Sequence, residues 1–303
     1  MKPSRKPAVR MTWKQRQKRT AYRVARTLVL SYVVVAILFY ALQTRLIFPG
    51  ASTQGSADAV VDPPPRTELL TLRAAEGTRI VALFGKGLDS PPEKSAAAPT
   101  ILYFYGNAMC LKDALGEFQQ FRKLGANVLA VEYAGFGMSG GEAGEQGCYA
   151  AAEAGYQHLL QRTDINPHKI VAAGWSLGGA VAIDLARRHA DEGHICGVMT
   201  FSAFTSVADI GRYHYPGVPV SLLLKHRFLS EEKVGHIGVP LLIGHGRHDE
   251  IAPYFMSDRL AAAAERGGVK VTRLTLEDAG HNDFFSVGES AIDQAVAKFL
   301  KAL

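Results

Sequence analysis

Residues Ile170–Asp184 read IVAAGWSLGGAVAID. A short apolar run enters a knot of small residues around Ser176, and a helix-like pattern leaves it. The core, Gly174-Trp175-Ser176-Leu177-Gly178, is G-x-S-x-G between a strand pattern and a helix pattern. That context is the one in which the motif holds a nucleophile. The reason is steric. A turn this tight strains the backbone of its central residue, so the residues two positions away must be small. Gly174 and Gly178 meet that need, and Gly179 lets the following helix lie close to the sheet. The helix N-terminus then points at the place where an oxyanion would develop.

The rest of the chain supplies the sheet this elbow requires. Strand patterns fall at 68–72, 79–85, 100–106, 126–133, 169–175, 194–203, 239–246 and 269–277. Helix patterns fall between them at 111–125, 144–162, 177–190 and 253–266, and a last one closes the chain at 286–303. Unalternating apolar strands separated by helices predict an α/β fold, a mostly parallel sheet covered on both faces. The 303 residues suffice for one such domain. Residues 204–238 break the rhythm between a strand end and the next strand, which predicts a short helical cap inserted where open α/β sheets bind ligands. Tyr213, Tyr215 and Leu222 in the cap are candidate pocket residues, with Met109 and Phe136 from other loops.

A serine needs a base, and the base needs an orienter. On this kind of sheet the order is serine, acid, histidine. Asp249 in VPLLIGHGRHDEIAP and His281 in LEDAGHNDF each follow a strand end. His245 and His248 precede the acid, which contradicts the order, and Asp278 and Asp283 are too close to His281 in sequence for a side-on contact. Ser176, Asp249 and His281 are therefore the candidate triad. The oxyanion donors are the N–H groups of Leu177 and of Asn107, with Ala108 as the alternative to Asn107. Tyr105 and Gly106 begin that loop.

The N-terminus has a different character. Residues 1–26 hold ten Lys or Arg and no acid, leaving 24 basic and 28 acidic residues elsewhere, a formal −4. The formal +6 of the whole chain thus belongs to the tail, and it says little about the folded body. Residues 27–44, TLVLSYVVVAILFYALQT, are uncharged and flanked by Arg26 and Arg45. At helical rise they span roughly 27 Å, about one hydrocarbon core. The expectation is a signal-anchor helix at 27–44 after a cytoplasmic tail at 1–26, a connector at 45–66, and the catalytic domain at 67–303 on the non-cytoplasmic face. A cleaved signal peptide lacks a clean small-x-small site here, and a soluble amphipathic helix would show a polar face. The apolar neighbour explains the basic tail better than nucleic acid does. Three widely spaced cysteines, Cys110, Cys148 and Cys196, make neither a disulfide framework nor a zinc cluster, and Cys196 reads as buried. No H-E-x-x-H, P-loop or dinucleotide fingerprint occurs, so neither metal nor cofactor is expected.

The ordered pieces RLIFPG, YGNA, EYAGFGMSGG, GWSLGG, SAFTS, HGRHDEIAP and GHND, from Arg45 to Phe285, resemble the α/β-hydrolase superfamily. Within it the chain is similar to the membrane-anchored α/β-hydrolase-domain serine hydrolases. The resemblance implies an esterase- or thioesterase-like enzyme with the same triad, acting on a small ester or acylated substrate, lipids and lipidated proteins included. Two positions depart from the pattern. Tyr105 stands where His is usual, and Glu132 where Asp is usual before the Y-x-G-x-G run. Tyr105 is expected either to replace the lost imidazole as a brace or to reach the pocket, and Glu132 to brace a buried loop. A serine peptidase or amidase with the same triad is the rival enzyme reading, and a tethered scaffold with an inert hydrolase fold is the rival outside enzymes.

Overall fold

In the computed structural model, residues 11–88 and 96–303 are described. The first ten residues of the basic tail and residues 89–95 of the Pro- and Ser-rich loop lie outside the described residues. Eight strands form one sheet: β1 (Thr67–Arg73), β2 (Arg79–Gly85), β3 (Thr100–Phe104), β4 (Asn127–Val131), β5 (Ile170–Trp175), β6 (Ile195–Phe201), β7 (Leu241–Gly246) and β8 (Val271–Leu276). Their spatial order is β1-β2-β4-β3-β5-β6-β7-β8. β2 pairs antiparallel with both β1 and β4, and every other pairing is parallel.

Burial explains the sequence pattern. β3 and β4 in the middle are buried at every residue, so their apolar runs do not alternate. The edge strands β1 and β8 are partly exposed. Helices flank the sheet on both faces. They are α2 (Leu115–Lys123), α3 (Glu145–Gln161), α4 (Leu177–Arg188), α8 (Phe255–Arg266), α9 (Phe284–Val287) and α10 (Glu289–Lys301). The final helix pattern is thus two helices, parted at Gly288. The cap carries three short helices, α5 (Val207–His214), α6 (Val220–Leu223) and α7 (Ser230–Val234).

The N-terminal helix α1 (Trp13–Ile47) is longer than the apolar run. It begins within the basic tail, capped by Thr12, and passes through Arg45. Its most apolar 18-residue window has mean hydropathy 2.0, enough by length and composition to cross a membrane. The chain then packs onto the domain instead of trailing away. Phe48 is buried, with its ring 5.0 Å from His226 and 6.4 Å from Phe136. Two 3-10 turns, Pro49–Thr53 and Ala57–Ala59, follow.

Candidate active site

Four parallel strands end on one edge of the sheet, and each is followed within a few residues by a candidate group. Ser176 follows β5, Asn107 follows β3, Asp249 follows β7 and His281 follows β8. This is the edge at which open α/β sheets place their ligands.

Ser176 has φ 53° and ψ −115°, a left-handed conformation that costs a non-glycine residue on the order of 1–3 kcal/mol. Its neighbours pay for that turn with their side chains. A Cβ at Gly174 would sit 2.1 Å from the Gly178 carbonyl carbon, and one at Gly178 would sit 1.9 Å from the Phe104 carbonyl oxygen. Both obstacles are backbone and cannot swing aside. Gly178→Ala is therefore expected to destabilise the fold by about 3 kcal/mol. That lowers the melting temperature by roughly 5–10 °C. An unchanged melting curve would show that the elbow tolerates the methyl group.

The strain aims the hydroxyl at a base. His281 Nε2 lies 3.0 Å from Ser176 Oγ, and His281 Nδ1 lies 2.7 Å from Asp249 Oδ2. All three side chains are buried. The other carboxylate oxygen, Asp249 Oδ1, accepts from the backbone N–H groups of Ile251 at 3.0 Å and Ala252 at 2.7 Å. Burial works against the ionised carboxyl, but hydrogen bonds from His245 and His281 outweigh it and hold the Asp249 pKa down to about 2. His245 is the second imidazole on this acid. Its Nε2 donates to the Ala252 carbonyl at 2.7 Å and lies 3.3 Å from Asp249 Oδ2. It is a support for the acid loop, on a different nitrogen geometry from the base. The acid and histidine loops come close because Gly246 has no side chain; a Cβ there would be 2.3 Å from the Ala279 carbonyl oxygen. Asp283 ties the histidine loop by accepting from Gly280 N–H at 2.7 Å.

Leu177 is the first residue of α4, so its N–H has no acceptor within the helix. Asn107, Ser176 and Leu177 line one cavity. Gly106 is required at the loop entry, where a Cβ would be 2.9 Å from the Trp175 ring. The Trp175 ring in turn lies 5.5 Å from that of His281. Tyr105 does not reach the cavity. Its hydroxyl donates to Glu132 Oε1 at 2.8 Å, and the same carboxylate accepts from Leu111 N–H at 2.7 Å and Met138 N–H at 3.0 Å. Glu132 is fully buried, and burial raises its pKa. It ties the loop after β3 to the loop after β4, which is the bracing role expected from its place in the motif.

The cavity holds about 380 Å³. Its walls are Phe204, Val207, Ile210, Gly211, His214, Tyr215, Val220 and Leu224 on the cap side, Ile251 from the acid loop, and Phe39, Gln43, Leu46 and Ile47 from α1. Among the five pocket candidates named from sequence, Tyr215 lines it. Phe136 is fully buried in the core, 5.4 Å from the Tyr133 ring. Met109 packs half-buried against that core. Tyr213 and Leu222 face outward, Leu222 with 87% of its surface exposed. Ala108, the alternative oxyanion donor, is also absent from the cavity wall. The α1 residues lie outside the five candidates. The one sequence signal for them is Gln43, an amide at the end of an apolar run.

The three cysteines are free thiols. Cys196 is half-buried, more open than its apolar run suggested, and burial raises its pKa as it does that of Cys110. None of the three lines the cavity.

Solved structures share this architecture. The crystal structure of an alpha-beta hydrolase from Vibrio vulnificus matches with TM-score 0.63 at 22% identity, covering 77% of this chain and 81% of the other. A Pyrococcus furiosus esterase matches with TM-score 0.61 at 18% identity, covering 80% and 95%. In sequence, an uncharacterized protein of Mycobacterium tuberculosis is 31% identical over 267 residues, 88% of this chain and 90% of the relative. The family model described as prolyl oligopeptidase matches residues 116–302, from the start of α2 almost to the C-terminus. That span carries the elbow, the acid loop and the histidine loop in the order the chemistry needs, and with it this serine hydrolase belongs to the prolyl oligopeptidase family of the α/β-hydrolase superfamily.

Proposed function

We propose that the protein is a membrane-anchored serine hydrolase that cleaves carboxylic esters or thioesters with an apolar acyl part. The observation that carries this reading is the cavity itself. Ser176 opens into a space whose lining contains no Asp, Glu, Lys or Arg. An apolar wall suits an acyl chain. A peptidase that held a charged peptide terminus would need a charged partner there, and no Asp, Glu, Lys or Arg lines the cavity to supply it.

The reaction follows from the geometry. His281 Nε2 takes the Ser176 proton as Oγ attacks the acyl carbon. Asp249 fixes the imidazole tautomer and stabilises the imidazolium. The N–H groups of Leu177 and Asn107 receive the tetrahedral oxyanion. The carbon–oxygen or carbon–sulfur bond breaks, the leaving group takes the proton from His281, and water cleaves the acyl-enzyme by the same steps reversed.

Retention of α1 as an anchor is supported by its bonds to the domain. Its Ile47 carbonyl accepts from Asn107 Nδ2 at 2.8 Å, so a leader cleaved beyond that point would free the oxyanion loop. The ten basic residues before the apolar run favour a cytoplasmic N-terminus and a catalytic domain on the opposite face.

The full chain assayed on aryl esters and thioesters of rising acyl length, beside dipeptide amides, tests the substrate class. Esters or thioesters should exceed amides in kcat/KM by at least about a hundredfold, the scale on which a mismatched site discriminates. A preference for the amides would reject it.

A further inference from the structure

Four residues of α1 line the cavity with Ser176: Phe39, Gln43, Leu46 and Ile47. Their spacing, i, i+4, i+7 and i+8, is one stripe of a helix. That stripe is fastened to the domain. Gln43 is 5% exposed, its amide donates to the Leu223 carbonyl at 3.0 Å, and its oxygen accepts from Lys225 N–H at 2.7 Å. Thr44 Oγ1 lies 3.1 Å from His226 Nε2, and the Phe39 ring meets the Tyr215 ring edge-on at 5.1 Å. Just past the helix, Gly50 N–H donates to the Asn107 carbonyl at 3.0 Å. A Cβ at Gly50 would fall 2.5 Å from the Met109 carbonyl oxygen, so the contact admits only glycine. The segment that ends the helix therefore also holds the oxyanion loop.

Helical rise gives the depth. Arg45 is exposed and marks the level at which charge meets water. Phe39 lies six residues earlier, about 9 Å further into the apolar run. A cavity that extends from Ser176 to Phe39 thus reaches the depth of acyl chains. The cap descends with it. Leu222 is 87% exposed, Tyr213 55% and Tyr215 49%, all in the cap, whose Tyr215, Leu223 and Lys225 touch Phe39 and Gln43. Lys225 Nζ lies 4.4 Å above the Tyr40 ring, an ammonium on an apolar stem of the kind that snorkels to an interface.

We propose that α1 is a wall of the active site as well as an anchor, and that the site takes the acyl chain of a membrane-resident lipid ester, admitted from the leaflet along the Phe39–Ile47 face. Leu222 and Tyr213 of the cap sit in the same leaflet. This rests on the membrane-anchored ester-hydrolase reading given above. The chain passes from hydrocarbon into an apolar cavity without crossing water, so turnover rises with acyl length for substrates dissolved in the bilayer.

The test uses the full chain in phosphatidylcholine vesicles with two fluorogenic esters, a palmitoyl ester dissolved in the bilayer and its acetyl analogue in the buffer. Leu46→Trp fills the wall, and Phe39→Gln makes its deep end polar. Each is expected to lower the palmitoyl-to-acetyl ratio of kcat/KM by at least about tenfold, the effect of a wrongly shaped apolar pocket. Where one variant fails to fold, seen as loss of fluorophosphonate labelling, the other is read. A ratio within twofold of wild type, with Ser176 still labelled, overturns the proposal alone. Wild-type protein that neither labels at Ser176 nor cleaves either ester overturns the hydrolase reading and this proposal with it.

Discussion

Replacing Ser176 by Ala is expected to lower kcat by about 10⁶-fold and to abolish fluorophosphonate labelling. The size follows from the absence of a substitute. Among the described residues lining the cavity, Ser176 is the only aliphatic hydroxyl, and no thiol is present. The Tyr215 hydroxyl is the remaining O–H there, and its half-exposed ring belongs to the cap. Without Oγ, His281 has no proton to take, and only the proposed oxyanion donors and binding remain, worth roughly 10³–10⁴ over water. Folding should be barely affected, because the methyl group of Ala carries the same backbone and loses one hydrogen bond, about 1 kcal/mol. Retained labelling in Ser176→Ala would place the nucleophile elsewhere.

Asp249→Asn is expected to lower kcat by about 10⁴-fold while the site keeps its shape. An amide in place of the carboxylate still fits between Ile251, Ala252 and His281, yet it can present an N–H where an acceptor is needed and so selects the wrong imidazole tautomer. Because the Asp249 pKa is depressed to about 2, the acid is ionised throughout any working range, and its own titration adds no pH dependence there. The sign for stability is that of a depressed carboxyl. Its contribution is fully present above the ordinary 3.8 and is lost as pH falls through about 2. A loss of less than tenfold in kcat for the purified variant would remove Asp249 from the triad.

The sheet was legible because its central strands are buried on both faces, which leaves unalternating apolar runs that a sequence displays directly. The triad was legible for a related reason. Ser176 is announced by glycines whose absent side chains are demanded by backbone, and Asp249 and His281 each follow a parallel strand to the same edge. The pocket was less so. Hydrophobicity near a loop does not reveal whether a ring turns to the cavity, as Tyr215 does, or to the core, as Phe136 does. The place of α1 in the cavity wall was hidden because an apolar residue lining a cavity has the same character as any other on a helix apolar enough to cross a membrane. The bonds that seat the cavity-facing stripe, Gln43 to Leu223 and Lys225 and Thr44 to His226, join residues 180 and 182 positions apart.

That separation sets an order of events during synthesis. At roughly 5–20 residues per second, Gln43 leaves the peptidyl-transferase centre some ten to forty seconds before Leu223 and Lys225 exist. Through that interval the amide has neither of its cap partners, and α1 cannot be seated. Among the described residues the helix is the first element made, yet its bonds to the cap wait for residues 223 and 225, with Asp249 and His281 still to follow.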